Sequence, residues 1–190
     1  MSHPVGSLKW MDPVVLSTED LIDRYYRPEH LAPYCSQCEN YGRNHACPPT
    51  GIDMLALLRS FDRVRLYAAR LMMPPRLARS EVSAFFARGM VDFNREVMDR
   101  EAEQPGSLAI APGHCVVCER CARHDGLPCL HPEERRYALD AFLLETAQMS
   151  QELFGVEIQW YNDQAPPYLT MVGGLLLAGG GLPSSRRMAE

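Results

Sequence analysis

Four of the chain's seven cysteines fall in the fifteen residues from Cys115 to Cys129, spaced Cys-x2-Cys-x2-Cys-x7-Cys, with Pro132 behind them. This run constrains the chain more than any other stretch. A cubane iron-sulfur cluster takes four thiolates on four different iron corners. Three cysteines, each three residues from the next, wrap a short loop round such a cluster, and a fourth closes it from a longer excursion. Zinc is the rival, because four thiolates also make a closed tetrahedral site. Zinc sites usually draw on two separated Cys-x2-Cys pairs, and a third cysteine three residues further on is awkward to aim at the same ion. The spacing therefore favours a 4Fe-4S cluster held by Cys115, Cys118, Cys121 and Cys129. A free-thiol or disulfide framework ranks below both metals, and a thioredoxin-like pair ranks last, since it expects one Cys-x-x-Cys opening a helix after a strand.

The bacterial ferredoxin run has a shorter last gap and places its proline directly after the fourth cysteine, so the present run is similar to it without matching it. A second group lies upstream, where Cys35, Cys38 and Cys47 are spaced Cys-x2-Cys-x8-Cys and followed by Pro48-Pro49. Three readings are open. The group could hold a second cluster with one iron left open, zinc with His45 as fourth ligand, or no metal at all, because cysteine also serves as a small buried hydrophobe. The Cys-x2-Cys pair is a chelate in its own right, and the flanking turn residues suit a ligand loop, which favours metal. His45, His114, His124 and His131 lie in or beside the two groups. His114 reads as a hydrogen-bond donor to a ligand rather than as a ligand. Arg43, Arg120 and Arg123 are placed to offset thiolate charge.

Length and charge bound the rest. At 190 residues one domain is the default, and it can bury a core without a metal's help. A composition 46% apolar and 23% charged is that of a globular protein, and a net charge of −5 excludes nucleic acid as the main partner. The N-terminus has no basic start followed by a long apolar run, so no secretory signal is expected and the protein should stay in the cytoplasm. Seven cysteines in a reducing compartment read as metal ligands rather than disulfides. The most apolar stretch, Tyr168 to Leu182, carries five glycines and is too short to cross a membrane.

Periodicity predicts a mixed α/β layer fold of about four strands interleaved with long helices, a single domain over 1–190 with a lead at 1–17 and a mobile tail at 184–190. A helix capped by Ser17 should run to about Tyr26, ended by Pro28 and Pro33. Thr50 should cap another through about Ser60. Arg63 to Leu71 alternates as a half-buried strand, Arg79 to Glu101 has the spacing of an amphipathic helix, and Ser107 to Ala111 reads as a strand entering the cysteine loop. A helix is expected from Pro132 to Phe154 with Gly155 as its cap, then strands at 156–161 and 168–177 flanking a loop at 162–167. Both cysteine loops should gather at one side.

The residues Cys35, Cys38, Tyr41, Gly42, Cys47, Pro48 and Pro49, with Gly113, Cys115, Cys118, Cys121, Pro128, Cys129 and Pro132, resemble the paired motifs of a family of predicted metal-binding proteins of unknown function, small cysteine-rich proteins of bacteria and archaea. The resemblance spans about residues 20 to 180. It implies metal binding, with iron-sulfur favoured, and no established reaction. The leading expectation is electron transfer to a redox partner protein. A zinc-stabilised interaction module and an enzyme using an open iron at Cys35, Cys38 and Cys47 are the alternatives. No nucleotide-binding glycine loop, nucleophile elbow or HExxH motif nominates other catalysis.

Overall fold

The structure, a computed structural model, describes residues 8–75, 77–160 and 166–179. In chain order its elements are β1 (Leu8–Trp10), β2 (Val14–Ser17), α1 (Thr18–Tyr25), α2 (Pro28–Gln37), α3 (Met54–Arg59), β3 (Arg63–Met72), α4 (Val82–Ala102), β4 (Leu108–Ala111), β5 (Tyr137–Ala138), α5 (Thr146–Phe154) and β6 (Tyr168–Leu177). The expected mixed α/β fold is what forms. Its sheet runs β1-β3-β6-β4-β5, with β2 pairing β3 as well, and among the described residues only β4 and β5 are parallel.

The spine is the antiparallel pair β3 and β6, in register from Arg63 opposite Leu177 to Met72 opposite Tyr168. Side chains alternate across a strand, so β3 feeds two cores. Val64, Leu66 and Ala68 pack with Leu21, Tyr25, Leu58 and Phe142, beneath the smaller helices. Tyr67, Ala69 and Leu71 pack with Phe85, Met90 and Phe93, beneath α4. Each large buried side chain of this kind contributes about 1.5–3 kcal/mol. The middle of β3 is thus buried on both faces, not half-buried as its arginines implied. Tyr67 lies under α4, with the Arg100 guanidinium 4.7 Å from its ring centroid.

Gly173 and Gly174 let the layers close. A Cβ on Gly173 would stand 2.6 Å from the Ile110 carbonyl oxygen and 2.7 Å from Phe93, and one on Gly174 would stand 2.7 Å from the Arg65 carbonyl oxygen. Any side chain there would part β6 from its neighbours.

Several local expectations hold. Ser17 caps α1, its hydroxyl oxygen accepting the Asp20 N–H at 3.0 Å, and Gly155 ends α5 at φ 64°. Others change for identifiable reasons. Pro28 starts α2 at a position that needs no N–H, and Pro33 is carried inside that helix at the loss of one bond rather than ending it. Asp53, not Thr50, caps α3 by accepting the Ala56 N–H at 2.9 Å. The predicted helix from Pro132 to Phe154 is divided, because Tyr137 and Ala138 pair with Ile110 and Ala111 as a strand. A 3-10 turn over Leu139–Phe142 follows, and Leu143 at φ 54° separates it from α5. An open strand edge offers the backbone partners that outweigh helix propensity there. Residues 156–160 form no strand, and the lead instead supplies β1 and β2. Tyr161, most of the 162–167 loop and the 184–190 tail lie outside the described residues.

Candidate metal centre

Two excursions from the sheet carry the seven cysteines, all of them free. The first joins α2 to α3. Cys35 stands in the last turn of α2, on a helix where a loop was expected, and the Cys38 N–H closes that end on the Cys35 carbonyl at 3.1 Å. Gly42, at φ 68°, turns the chain back so that its N–H donates to the Pro48 carbonyl at 2.8 Å. Cys47 lies within this fold-back.

The second excursion leaves β4 after Ala111 and returns at Tyr137 of β5, its parallel neighbour. Cys121 leads into a 3-10 turn, Ala122–Asp125, that Gly126 closes at φ 71°. Cys115, Cys118, Cys121 and Cys129 line one recess, with His45 and Arg135 also in its wall. These are the four thiols picked out by spacing. Among the described residues, no three His, Cys, Asp or Glu side chains are gathered around a single ion's position.

Arg135 supplies the test of what the recess fits. Its guanidinium lies 5.1 Å from the Tyr137 ring centroid, and its Nη2 donates to the Tyr137 hydroxyl at 3.3 Å. Its Nε is buried without a hydrogen-bond acceptor among the described residues. A buried cationic donor left unpaired is costly, and an anionic group in the recess would relieve it. Thiolate-ligated metal is such a group, so the donor set and the wall agree.

Although 67 residues lie between Cys47 and Cys115, the excursions are bonded together. Asn44, 4% exposed, donates through Nδ2 to the Cys115 carbonyl at 3.0 Å. Its Oδ1 accepts the Cys115 N–H at 3.3 Å and the Ala46 N–H at 2.9 Å. Arg123 reaches the other way and donates to the carbonyls of Asn44 and Cys47, each at 3.1 Å, and of Pro49 at 2.5 Å. The Ala138 N–H donates to the Ala46 carbonyl at 3.1 Å, which docks β5 on the first excursion. His45 donates from Nε2 to the Leu127 carbonyl at 3.0 Å, holding it against the four-cysteine recess rather than turning it to the group of three.

The electrostatics of the thiols follow from this packing. Burial pushes the Cys47 thiol up to about 12, with the charges of Cys38, Asp140, Cys35 and Cys115 adding to it. Cys35 is raised by burial and then by Asp140 and Cys38. Cys115 is raised by burial and partly relieved by a backbone hydrogen bond from Val117. Desolvation also raises Cys118, with Cys121, Cys129 and Glu134 adding. His114 is lowered by burial, as suits a neutral imidazole. Without a cation these thiols stay protonated, so metal binding there expels protons.

Asn44, Arg135 and Asp140 are the residues that sequence reasoning missed. Asp140 is exposed by surface area, although desolvation by its neighbours raises its carboxyl; the two disagree on its burial, and the surface area decides that it meets water. The Cys35 Sγ lies 3.9 Å from the Asp140 carbonyl oxygen, and Thr146 donates its hydroxyl to Asp140 Oδ1 at 3.0 Å. Only the Asn-x2-Cys neighbourhood of Asn44 could have drawn attention in the sequence.

Among the described residues no helix is long and apolar enough to cross a membrane. The model of a family described as predicted metal-binding protein (DUF2284) matches residues 26–177, which include both cysteine excursions. No curated protein and no solved structure matches the chain.

Proposed function

The chain belongs to that family of predicted metal-binding proteins, and from this premise we propose that it is an iron-sulfur protein serving electron transfer. On this reading Cys115, Cys118, Cys121 and Cys129 hold a 4Fe-4S cluster, and Cys35, Cys38 and Cys47 hold a second metal centre. One observation carries it. Four thiols with cluster-type spacing border a single recess that Arg135 also lines, and the Nε of Arg135 is buried with no acceptor among the described residues. The cluster, when bound, supplies a centre that changes by one electron. The protein's part is to attach it through four thiolates, to donate a hydrogen bond from Arg135 and to keep the recess dry. Donors of this kind raise a cluster's reduction potential.

The surroundings suit a transient partner. Val117 and Leu130 line the recess and are 39% and 67% exposed, and Leu127 is 55% exposed. An exposed apolar rim is what a docking protein covers.

Anaerobic reconstitution followed by redox titration tests the reading. The expected result is a reversible one-electron centre, lost in Cys118→Ser and shifted to lower potential in Arg135→Leu. A colourless protein with no reducible centre, unfolding when zinc is chelated, would sink it and leave a structural metal site.

A further inference from the structure

The loop that carries the four cysteines presents an apolar surface framed by charge of one sign. Val117 and Leu130 stand exposed on the wall of the recess. Leu127, exposed as well, is tied to the same wall, because its carbonyl accepts the bond from His45.

The arginines of this loop are engaged, and most of its carboxylates are not. Arg120 pairs with Asp125 at 2.7 Å, Arg123 donates to carbonyls of the first excursion, Arg135 lies on the Tyr137 ring, and Arg136 pairs with Glu101 at 2.8 Å. Against these, Glu119 and Glu133 are exposed with no ion pair among the described residues, and Glu134 meets only His131, at 3.4 Å. Glu134 is close enough to Cys118, and Glu39 to His114, for its charge to act on that side chain. Carboxylates therefore stand near the recess from both excursions. The exposed charges between α2 and α3, Glu39, Arg43 and Asp53, are also acidic on balance.

Exposed valine and leucine inside a rim of unbalanced carboxylates have the form of half an interface. The apolar centre is dehydrated on contact, and the rim charges select the partner. The chain's net charge of −5 adds a longer-range field of the same sign. An acidic partner would be repelled at both ranges, and a basic one attracted at both.

We propose that the four-cysteine loop docks a redox protein whose contact face has an apolar centre ringed by lysine or arginine. Val117, Leu127 and Leu130 meet the centre of that face, and Glu119, Glu133 and Glu134 meet its ring. This rests on the reading of the four thiols as ligands of an electron-transfer centre. The complex is brief and salt-sensitive, because rim charges speed encounter more than they hold the bound state. One electron passes between the cluster and the partner's own centre, one being oxidised as the other is reduced.

Calorimetric titration of the oxidised holoprotein with two oxidised redox proteins of opposite charge, basic cytochrome c and acidic flavodoxin, tests this. No electron moves under these conditions, so the heat reports docking alone. Cytochrome c should bind in about 10 mM salt and at least about tenfold more weakly in about 150 mM salt, and flavodoxin should not bind. The Glu119→Gln, Glu133→Gln double variant should weaken cytochrome c by about fivefold or more at low salt. Asp12→Asn with Asp23→Asn removes equal charge from exposed positions before β2 and on α1, and should change it by less than about twofold. Leu127→Ala should cost about threefold at either salt, since it removes apolar area rather than charge. No binding of cytochrome c, equal binding of both probes, equal losses in the two double variants, or insensitivity to salt or to Leu127→Ala would overturn the inference. Redox titration of the same samples keeps two failures apart. A reducible centre that docks without regard to charge defeats this inference alone, whereas a protein with no reducible centre defeats the reading beneath it.

Discussion

The two cysteine excursions use the same donor atom and are built in opposite ways. The second is one continuous loop slung between parallel neighbours β4 and β5, and its four thiols share an enclosed recess. The first divides its thiols between the end of a helix and a folded-back loop, and it borders a wide cleft. Enclosure keeps water from a charge that changes, whereas openness admits a ligand. The surroundings of a thiol set, as much as its count, decide the chemistry it can support.

Asn44 is where the two are joined, so its loss should have the largest effect. Asn44→Ala removes both bonds to the Cys115 backbone and the one to Ala46, leaving buried groups unpaired at a cost of about 3 kcal/mol. Chemical denaturation reads this, and metal should fall in both groups together. A loss confined to one group would show the excursions to be independent. Arg123→Met removes the three bonds that the second excursion makes to carbonyls of the first, for about 2 kcal/mol. Its metal loss should begin at Cys35, Cys38 and Cys47, which sharpens the contrast between an excursion that stands alone and one that is held.

Acidity separates metal-free from metal-bound protein. The Cys47 thiol, pushed by burial up to about 12 from its ordinary value of 9.0, favours its protonated form in the fold. The stability this contributes is fully present below the unfolded value and is lost as pH rises toward the folded one. Metal-free protein should therefore lose about 1 kcal/mol by about pH 10. Metal-bound protein, its thiols already ionised, should not show this loss, and thermal melts across that range compare them. The smallest effect belongs to Arg120→Ala. Arg120 and Asp125 form an exposed pair at 2.7 Å in the second excursion, worth under about 0.5 kcal/mol, and metal content should stay unchanged.

The sequence made β3, β6, α4 and the cap of α1 legible, because each is long enough to show a period or carries a capping residue with a local mechanism. β1 and β2 span three and four residues, too few to show one. β5 was hidden inside a helix-like pattern, since Tyr137 and Ala138 take a strand only because β4 offers an edge. The four thiols around one recess were legible from spacing. That His45 belongs with them, and that Arg135 and Asn44 complete the surroundings, was not, because those contacts cross many residues of chain and leave no local pattern.

The most direct measurement of the central claim is iron, acid-labile sulfide and zinc content, with the visible spectrum, on protein purified without oxygen beside its Cys129→Ser variant. The account predicts at least about four irons and four sulfides per chain with a broad brown absorbance, and about four of each missing from the variant. One or two zincs per chain, no colour and no sulfide would contradict it.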